Sequence, residues 1–225
     1  SYYALSFDGS SDYLQTPSEA MTYDISTDSL SFGMWVIPYN IGSQMGMFSM
    51  TNGSNGMQIT IEPTGVVRLY ATNGTNSRVI WSSEALTADN PYFVGVMLNP
   101  SSSEIHINGG EDDVSSDTGS VSFGDNSWQP KVGCDYESGA KFYGKIHAVA
   151  VWNGEMTGDD FAKVYNNGEL GFDLSQDSSD GQYNMSSDLA SWWKLGEDSS
   201  NIGKDYGSIP LNLDGVSLDS NDIVS

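Results

Sequence analysis

The sequence holds one cysteine in 225 residues, so no disulfide can form within the chain. Its stability has to come from a core, and a chain of this length buries roughly 70% of the surface its unfolded form exposes. Basic residues are scarce: 8 Lys and Arg stand against 30 Asp and Glu, a formal charge of −22. Such a surface repels phosphate backbones and anionic lipid, which argues against nucleic acid as a partner. It stays hydrated in concentrated salt, where its self-repulsion is screened, so a marine or halophilic setting is the expectation. No apolar run approaches the roughly 20 residues of a spanning helix, so membrane insertion is not expected. The opening Ser-Tyr-Tyr-Ala-Leu-Ser-Phe lacks the positive and apolar regions of a signal peptide.

Several chemistries also lack their residues. There is no Cys/His cluster for zinc and no G-x-x-x-x-G-K-[ST] loop for nucleotide. The two histidines, His106 and His147, lie on strand-like segments, where a histidine usually meets solvent or a polar partner. Cys134 reads as a small residue near a strand end.

What the chain has in abundance is turn residues and short apolar alternations. Strands are expected at 4–7, 13–15, 30–37, 46–50, 57–61, 66–71, 79–82, 92–98, 104–107, 128–133 and 141–152. Between them fall Asn52-Gly53, Asn55-Gly56, Thr64-Gly65, Asn73-Gly74 and Asn108-Gly109, the dipeptides that tolerate positive φ in hairpins. Residues 110–126, beginning Gly-Glu-Asp-Asp, read as a polar loop. One helix is expected after Trp152. Thr157 and Asp160 have capping-box spacing, Phe161, Val164 and Tyr165 make an apolar face, and Gly168 can close it. Short strands at roughly ten-residue spacing give an all-β, antiparallel two-sheet sandwich with this one short helix.

The expected organisation is a core over 1–170, a Ser/Asp-rich linker over 171–187, and strands over 188–225 packing on the same domain. The adjacent Trp192 and Trp193 must point to opposite faces of their strand, one inward and one outward. Trp35 and Trp152 read as core.

Four stretches carry a resemblance. They are Leu5-Ser-Phe7-Asp8-Gly9-Ser-Ser-Asp12-Tyr13, Phe32-Gly-Met-Trp35, Phe142-Tyr-Gly144-Lys-Ile146 through Trp152-Asn153, and Met156-Thr157 through Tyr165 to Gly168. In this order they resemble the LamG-like branch of the concanavalin A-like jelly rolls, over about residues 1 to 170. The tail, with Trp192-Trp193-Lys-Leu-Gly196 and Asp205-Tyr-Gly207, is similar to a segment that accompanies such domains in tailed-phage virion proteins and marine surface proteins. In relatives an acidic pair follows the position of Ile146, and here His147 and Ala148 stand there. The jelly-roll glucanases of this superfamily use E-x-D-x-x-E, whose two working carboxylates lie about 5 Å apart. That motif is missing, so no catalytic residues are assigned.

Two kinds of site remain as candidates. Aromatic rings near polar loops, Trp81, Trp128 and Tyr136, suit stacking on sugar faces. Oxygen donors at Asp8 and Asp12, and at Asp135 and Glu137, make calcium the candidate cofactor. The reading implied is a non-catalytic display or adhesion protein on a virion surface, a capsid decoration or fibre of a marine tailed phage. Its partners would be other virion subunits or further copies of the chain, and a host cell-surface glycan. The alternative is a secreted bacterial carbohydrate-binding or adhesion module, placed outside the cell.

Overall fold

The computed structural model describes residues 2–17, 21–24, 29–53, 55–115, 125–209 and 211–225, and gives backbone alone for 21–24, 111–115 and 125–126. The described strands are β1 (Ala4–Asp8), β2 (Tyr13–Gln15), β3 (Met21–Asp24), β4 (Leu30–Pro38), β5 (Met45–Thr51), β6 (Gly56–Ile61), β7 (Val66–Thr72) and β8 (Ser77–Ala85). They continue with β9 (Tyr92–Leu98), β10 (Ser103–Ile107), β11 (Gly110–Ser115), β12 (Asp125–Val132), β13 (Tyr143–Trp152), β14 (Leu189–Trp193), β15 (Asp214–Val216) and β16 (Ile223–Val224). Helix α1 is Gly158–Tyr165.

Two antiparallel sheets form. The first runs β11-β10-β9-β4-β13-β1-β16, and the second β15-β2-β12-β5-β6-β7-β8. In each, one long strand shares an edge between two short ones. Strand β13 pairs with β1 through Tyr143–Ile146 and with β14 through 149–152. Strand β12 pairs with β2 at Lys131 and Val132 and with β3 at 125–128. The tail is therefore woven into both sheets: β14 joins β13, β15 joins β2 and β16 joins β1.

The alternation of the strands divides the core in two. Phe32, Val94, Val96, Ile146, Val149 and Val151 meet Phe48, Ile59, Leu69 and Trp128 between the sheets. Their neighbours Phe93, Met97, Ala150 and Trp152 point the other way, off the outer face of the first sheet. There α1 and the following segment bury them, through Phe161, Val164, Leu174 and Tyr183. Gly95 has no side chain because Phe161 packs on it; an added Cβ would sit 2.5 Å from the ring.

Several expectations are corrected by this second core. The stretch over 171–187 is no free linker, since Leu174 and Tyr183 are buried and the Tyr183 hydroxyl links the Trp152 indole N–H to the Leu174 carbonyl, at 2.9 and 2.8 Å. Trp192 and Trp193 do point to opposite faces, Trp193 into the inter-sheet core and Trp192 into the outer cluster, where it is 8% exposed. Trp152 is core, in this outer cluster, whereas Trp35 is only half-buried, stacked on Tyr165 at 5.6 Å. Residues 110–115 form β11 and not a loop. Asn108 and Gly109 both take positive φ, which makes a tight hairpin that returns the chain onto β10. The rest of that expected loop, 116–124, lies outside the described residues.

Helix α1 starts as read. Thr157 Oγ1 accepts from Asp160 N, and Asp160 Oδ2 accepts from Thr157 N at 2.9 Å. It ends earlier than Gly168, because Asn166 takes the left-handed conformation at its C-cap.

Trp193 ties the tail to the core, since its indole donates to the Leu211 carbonyl at 2.8 Å and its ring is fully buried. Trp193→Ala is expected to cost about 3–5 kcal/mol in urea unfolding, the usual range for truncating a buried tryptophan.

Candidate functional site

The outer face of the second sheet brings together two of the three aromatic candidates. On β7, Val67, Leu69 and Ala71 turn inward, so Arg68 and Tyr70 turn outward. Arg68 pairs in register with Trp81 on β8, and residues directly opposite across an antiparallel pair have Cβ atoms about 5 Å apart. Trp81 is 50% exposed. Beside it lies a bonded polar group: Glu62 Oε1 accepts from Gln44 at 2.9 Å and Thr60 at 2.7 Å, and Arg68 Nε stands 3.4 Å away.

Tyr136 reaches this face from the loop over 133–141. That loop crosses β5 and β6 so closely that a Cβ on Gly46 would lie 2.1 Å from the Cys134 carbonyl carbon. Lys131 pins it, donating to the Tyr136 carbonyl at 2.9 Å and the Ser138 hydroxyl at 2.7 Å. The Tyr136 ring covers Gly56 and stacks against Tyr70 at 6.3 Å. Gly56 thus serves close approach and not a turn. The loop leaves Trp81, Arg68 and Tyr70 as the open part of the face. Trp128 does not belong here. Ser127, Gln129 and Lys131 take the outward positions of β12, so Trp128 points in, is 0% exposed, and cannot stack on a ligand.

Three of the four carboxylates named for calcium are already engaged with donors of their own loops. Asp8 accepts from the backbone of Ser10, Ser11 and Asp12 and from both serine hydroxyls, at 2.6–3.1 Å. Partial burial opposes its ionisation, but these bonds outweigh it and hold the carboxyl well below the usual range. Asp12 accepts from Asp8 N at 2.9 Å, and burial, with the charges of Asp8 and Asp222, raises its pKa. Asp135 accepts from Gly139 N at 2.6 Å, while Glu137 is exposed. Among the described residues no group of three or more His, Cys, Asp and Glu side chains could hold a metal. The histidines have other work. His106 is buried against Phe161 at 4.4 Å with Nε2 3.0 Å from Glu104, and His147 Nδ1 donates to the Tyr3 carbonyl.

A second concavity, which the sequence reading missed, lies on the outer face of the first sheet. It is a cavity of about 590 Å³. Gly33, Ala148 and Ala150 are among its lining positions on β4 and β13, Trp35 on β4 and Trp192 on β14 stand beside them, and Tyr2 and Phe172 also belong to its lining. Lys194 Nζ lies 4.0 Å over the Trp192 ring and 4.8 Å over Tyr206, and 3.7 Å from Glu197.

The laminin G model of the concanavalin A-like lectin/glucanases superfamily matches residues 8–162. The chain belongs to this superfamily. A search of the curated proteins finds no significant match. Among solved structures, this superfamily member is similar to a Bacteroides ovatus protein provisionally described as carbohydrate binding, with TM-score 0.65 and 16% identity. That match covers 96% of this chain but 57% of the other. A native heptameric SAP-like pentraxin from Limulus polyphemus matches with TM-score 0.59 and 12% identity, over 73% of this chain and 82% of that one. The CBM40 module of the Ruminococcus gnavus IT-sialidase, solved bound to α2,3-sialyllactose, matches with TM-score 0.52 and 15% identity, over 67% and 95%. At such identities the likeness is one of fold.

Two outcomes follow from the engaged carboxylates. Since Asp8 and Asp12 are satisfied by N–H and O–H donors, the melting temperature is expected to be the same in chelator and in millimolar calcium; a rise with calcium would show a site there. The folded pKa of Asp8 lies below its ordinary 3.8. Its contribution to stability is therefore present above that pH and lost as pH falls further. Urea midpoints are expected to drop below about pH 4, and less steeply in Asp8→Asn.

Proposed function

We propose that this domain is a non-catalytic surface display or adhesion protein that binds glycan on the outer face of its second sheet. The observation that carries the reading is Trp81, half exposed on a rigid strand and directly across from Arg68. An indole at such a place offers a flat apolar face to the C–H face of a pyranose. Arg68 and Glu62 beside it supply a donor and an acceptor for ring hydroxyls, and each is already oriented by the Gln44–Thr60–Glu62 bonds. The stacked pair Tyr70 and Tyr136 extends the aromatic surface along the strand direction. Two of the similar structures are described by carbohydrate binding, which supports the same ligand class. Glu62 on this face is tied to Arg68, where a retaining hydrolase places two carboxyl groups about 5 Å apart.

The setting in this reading is the surface of a tailed-phage virion in salt water, with virion subunits or further copies as neighbours. The charge of −22 and the resemblance of the tail support it. The alternative, an adhesion module outside a bacterial cell, would use the same face. Imaging of the native assembly separates the two.

Trp81→Ala is expected to weaken binding to whichever glycan an array identifies by about 10- to 100-fold, as loss of roughly 1.5–3 kcal/mol of aromatic contact. Its melting temperature should fall only slightly, because half of the ring is already in water. Undiminished binding by this variant would remove the face from consideration.

A further inference from the structure

The cavity on the first sheet lies on the opposite side of the sandwich from Trp81, and nothing in the reading above uses it. Small residues make part of its floor. On β13 the outward positions Ala148 and Ala150 carry only methyl groups, and on β4 Gly33 lies directly under the Trp152 and Phe93 rings, where an added Cβ would come within 3.1–3.2 Å of them. To one side the floor rises into Trp35, whose ring is held by stacking on Tyr165 of α1. To the other it rises into Trp192, held under the Lys194 ammonium. The volume, about 590 Å³, falls within the range of roughly 300–1,000 Å³ typical of small-molecule sites.

The chemistry of the lining is mixed. Besides the rings it carries His147, Asp173, Lys194 and Glu197. His147 spends its Nδ1 proton on the Tyr3 carbonyl, so its neutral form keeps a lone pair on Nε2 as an acceptor. Burial lowers its pKa, which favours that neutral form. Asp173 accepts from the Ser175 hydroxyl at 2.6 Å, and this bond with the Ser175 amide keeps it ionised. Lys194 and Glu197 form a pair of opposite charges at 3.7 Å. Two carboxylates against one ammonium leave the cavity net negative, which disfavours anionic ligands. A wholly apolar ligand would strip water from these four groups without replacing it. A neutral ring with apolar C–H faces and equatorial hydroxyls satisfies both parts of the lining.

We infer that this cavity is a second saccharide site, one that takes a single neutral pyranose at a chain end. The inference rests on the glycan reading for its class of ligand, but on a separate set of residues. A cavity with a closed floor admits a ring that enters by its mouth, so the ligand is a terminus and not the middle of a polymer. Tyr2 and Tyr3, 52% and 43% exposed, stand at the rim. Two sites on opposite sheets would let one domain bridge two glycan chains.

The test uses the indole N–H signals of the six tryptophans, which separate the faces. The ¹⁵N-labelled full chain is titrated with methyl glycosides of glucose, galactose, mannose and N-acetylglucosamine, and with methyl glucuronide. At least one neutral glycoside is expected to move the Trp35 and Trp192 signals, in the wild type and equally in Trp81→Ala. Filling the floor with Ala148→Met, or more severely Ala148→Trp, is expected to weaken that response at least tenfold. Glucuronide is expected to act more weakly than the neutral sugars. The milder variant keeps the test usable if the tryptophan variant melts early. Silence of Trp35 and Trp192 with every glycoside overturns the inference, as does a response that survives both Ala148 variants. Movement of Trp81 alone overturns it while leaving the second-sheet site standing, and movement of Trp35 and Trp192 alone does the reverse.

Discussion

Strand β13 has side chains buried on both of its faces, a condition that an antiparallel strand with one wet side does not meet. Ile146, Val149 and Val151 are covered by the second sheet. Ala150 and Trp152 need a cover of their own, and α1 with the segment after it provides it. This requirement explains why the chain continues past the helix. The Trp192-Trp193 dipeptide places one ring in each of the two cores, so the tail closes both at once. Where the cover stops short, between Trp35 and Trp192, the cavity is what remains.

The few cations are used with economy. Arg78 is fully buried and donates to the carbonyls of Asn99 and Pro100, fixing a turn from inside. Lys131 holds the loop that bears Tyr136, and Lys163 and Lys204 pair with Asp180 and Asp198. With these cations committed to local structure, the excess of acidic residues sets the field around the domain. That field favours partners without negative charge, in keeping with neutral sugars on either face.

Much of the fold was legible because its signals are local. Asn108-Gly109 made its hairpin, Thr157 and Asp160 made their capping box, and the strand alternations mostly fell where apolar residues recur. The placement of Trp128 was legible too. Ser-Trp-Gln-Pro-Lys-Val alternates, and this period puts the ring inside in spite of its nearness to a polar loop. The same period correctly leaves Trp81 outside, between Ile80 and Ser82. The cavity was not legible. Its lining comes from the first residues, β4, β13, the stretch at 171–175 and the tail, and no local pattern links positions so far apart. Only the smallness of Ala148 and Ala150 on an otherwise bulky strand hints at it.

The pairing of β1 with β16 sets Ala4 opposite Val224. The first and last strands of the domain thus lie side by side at one edge of one sheet, fastened by strand hydrogen bonds. A unit with this geometry is a plug-in part. It can be spliced into a surface loop of a host protein without prying that loop open, or hung from a neighbour by either end in the same orientation. Joining the ends by a short loop and cutting the chain elsewhere would give a circularly permuted domain with the same two sheets.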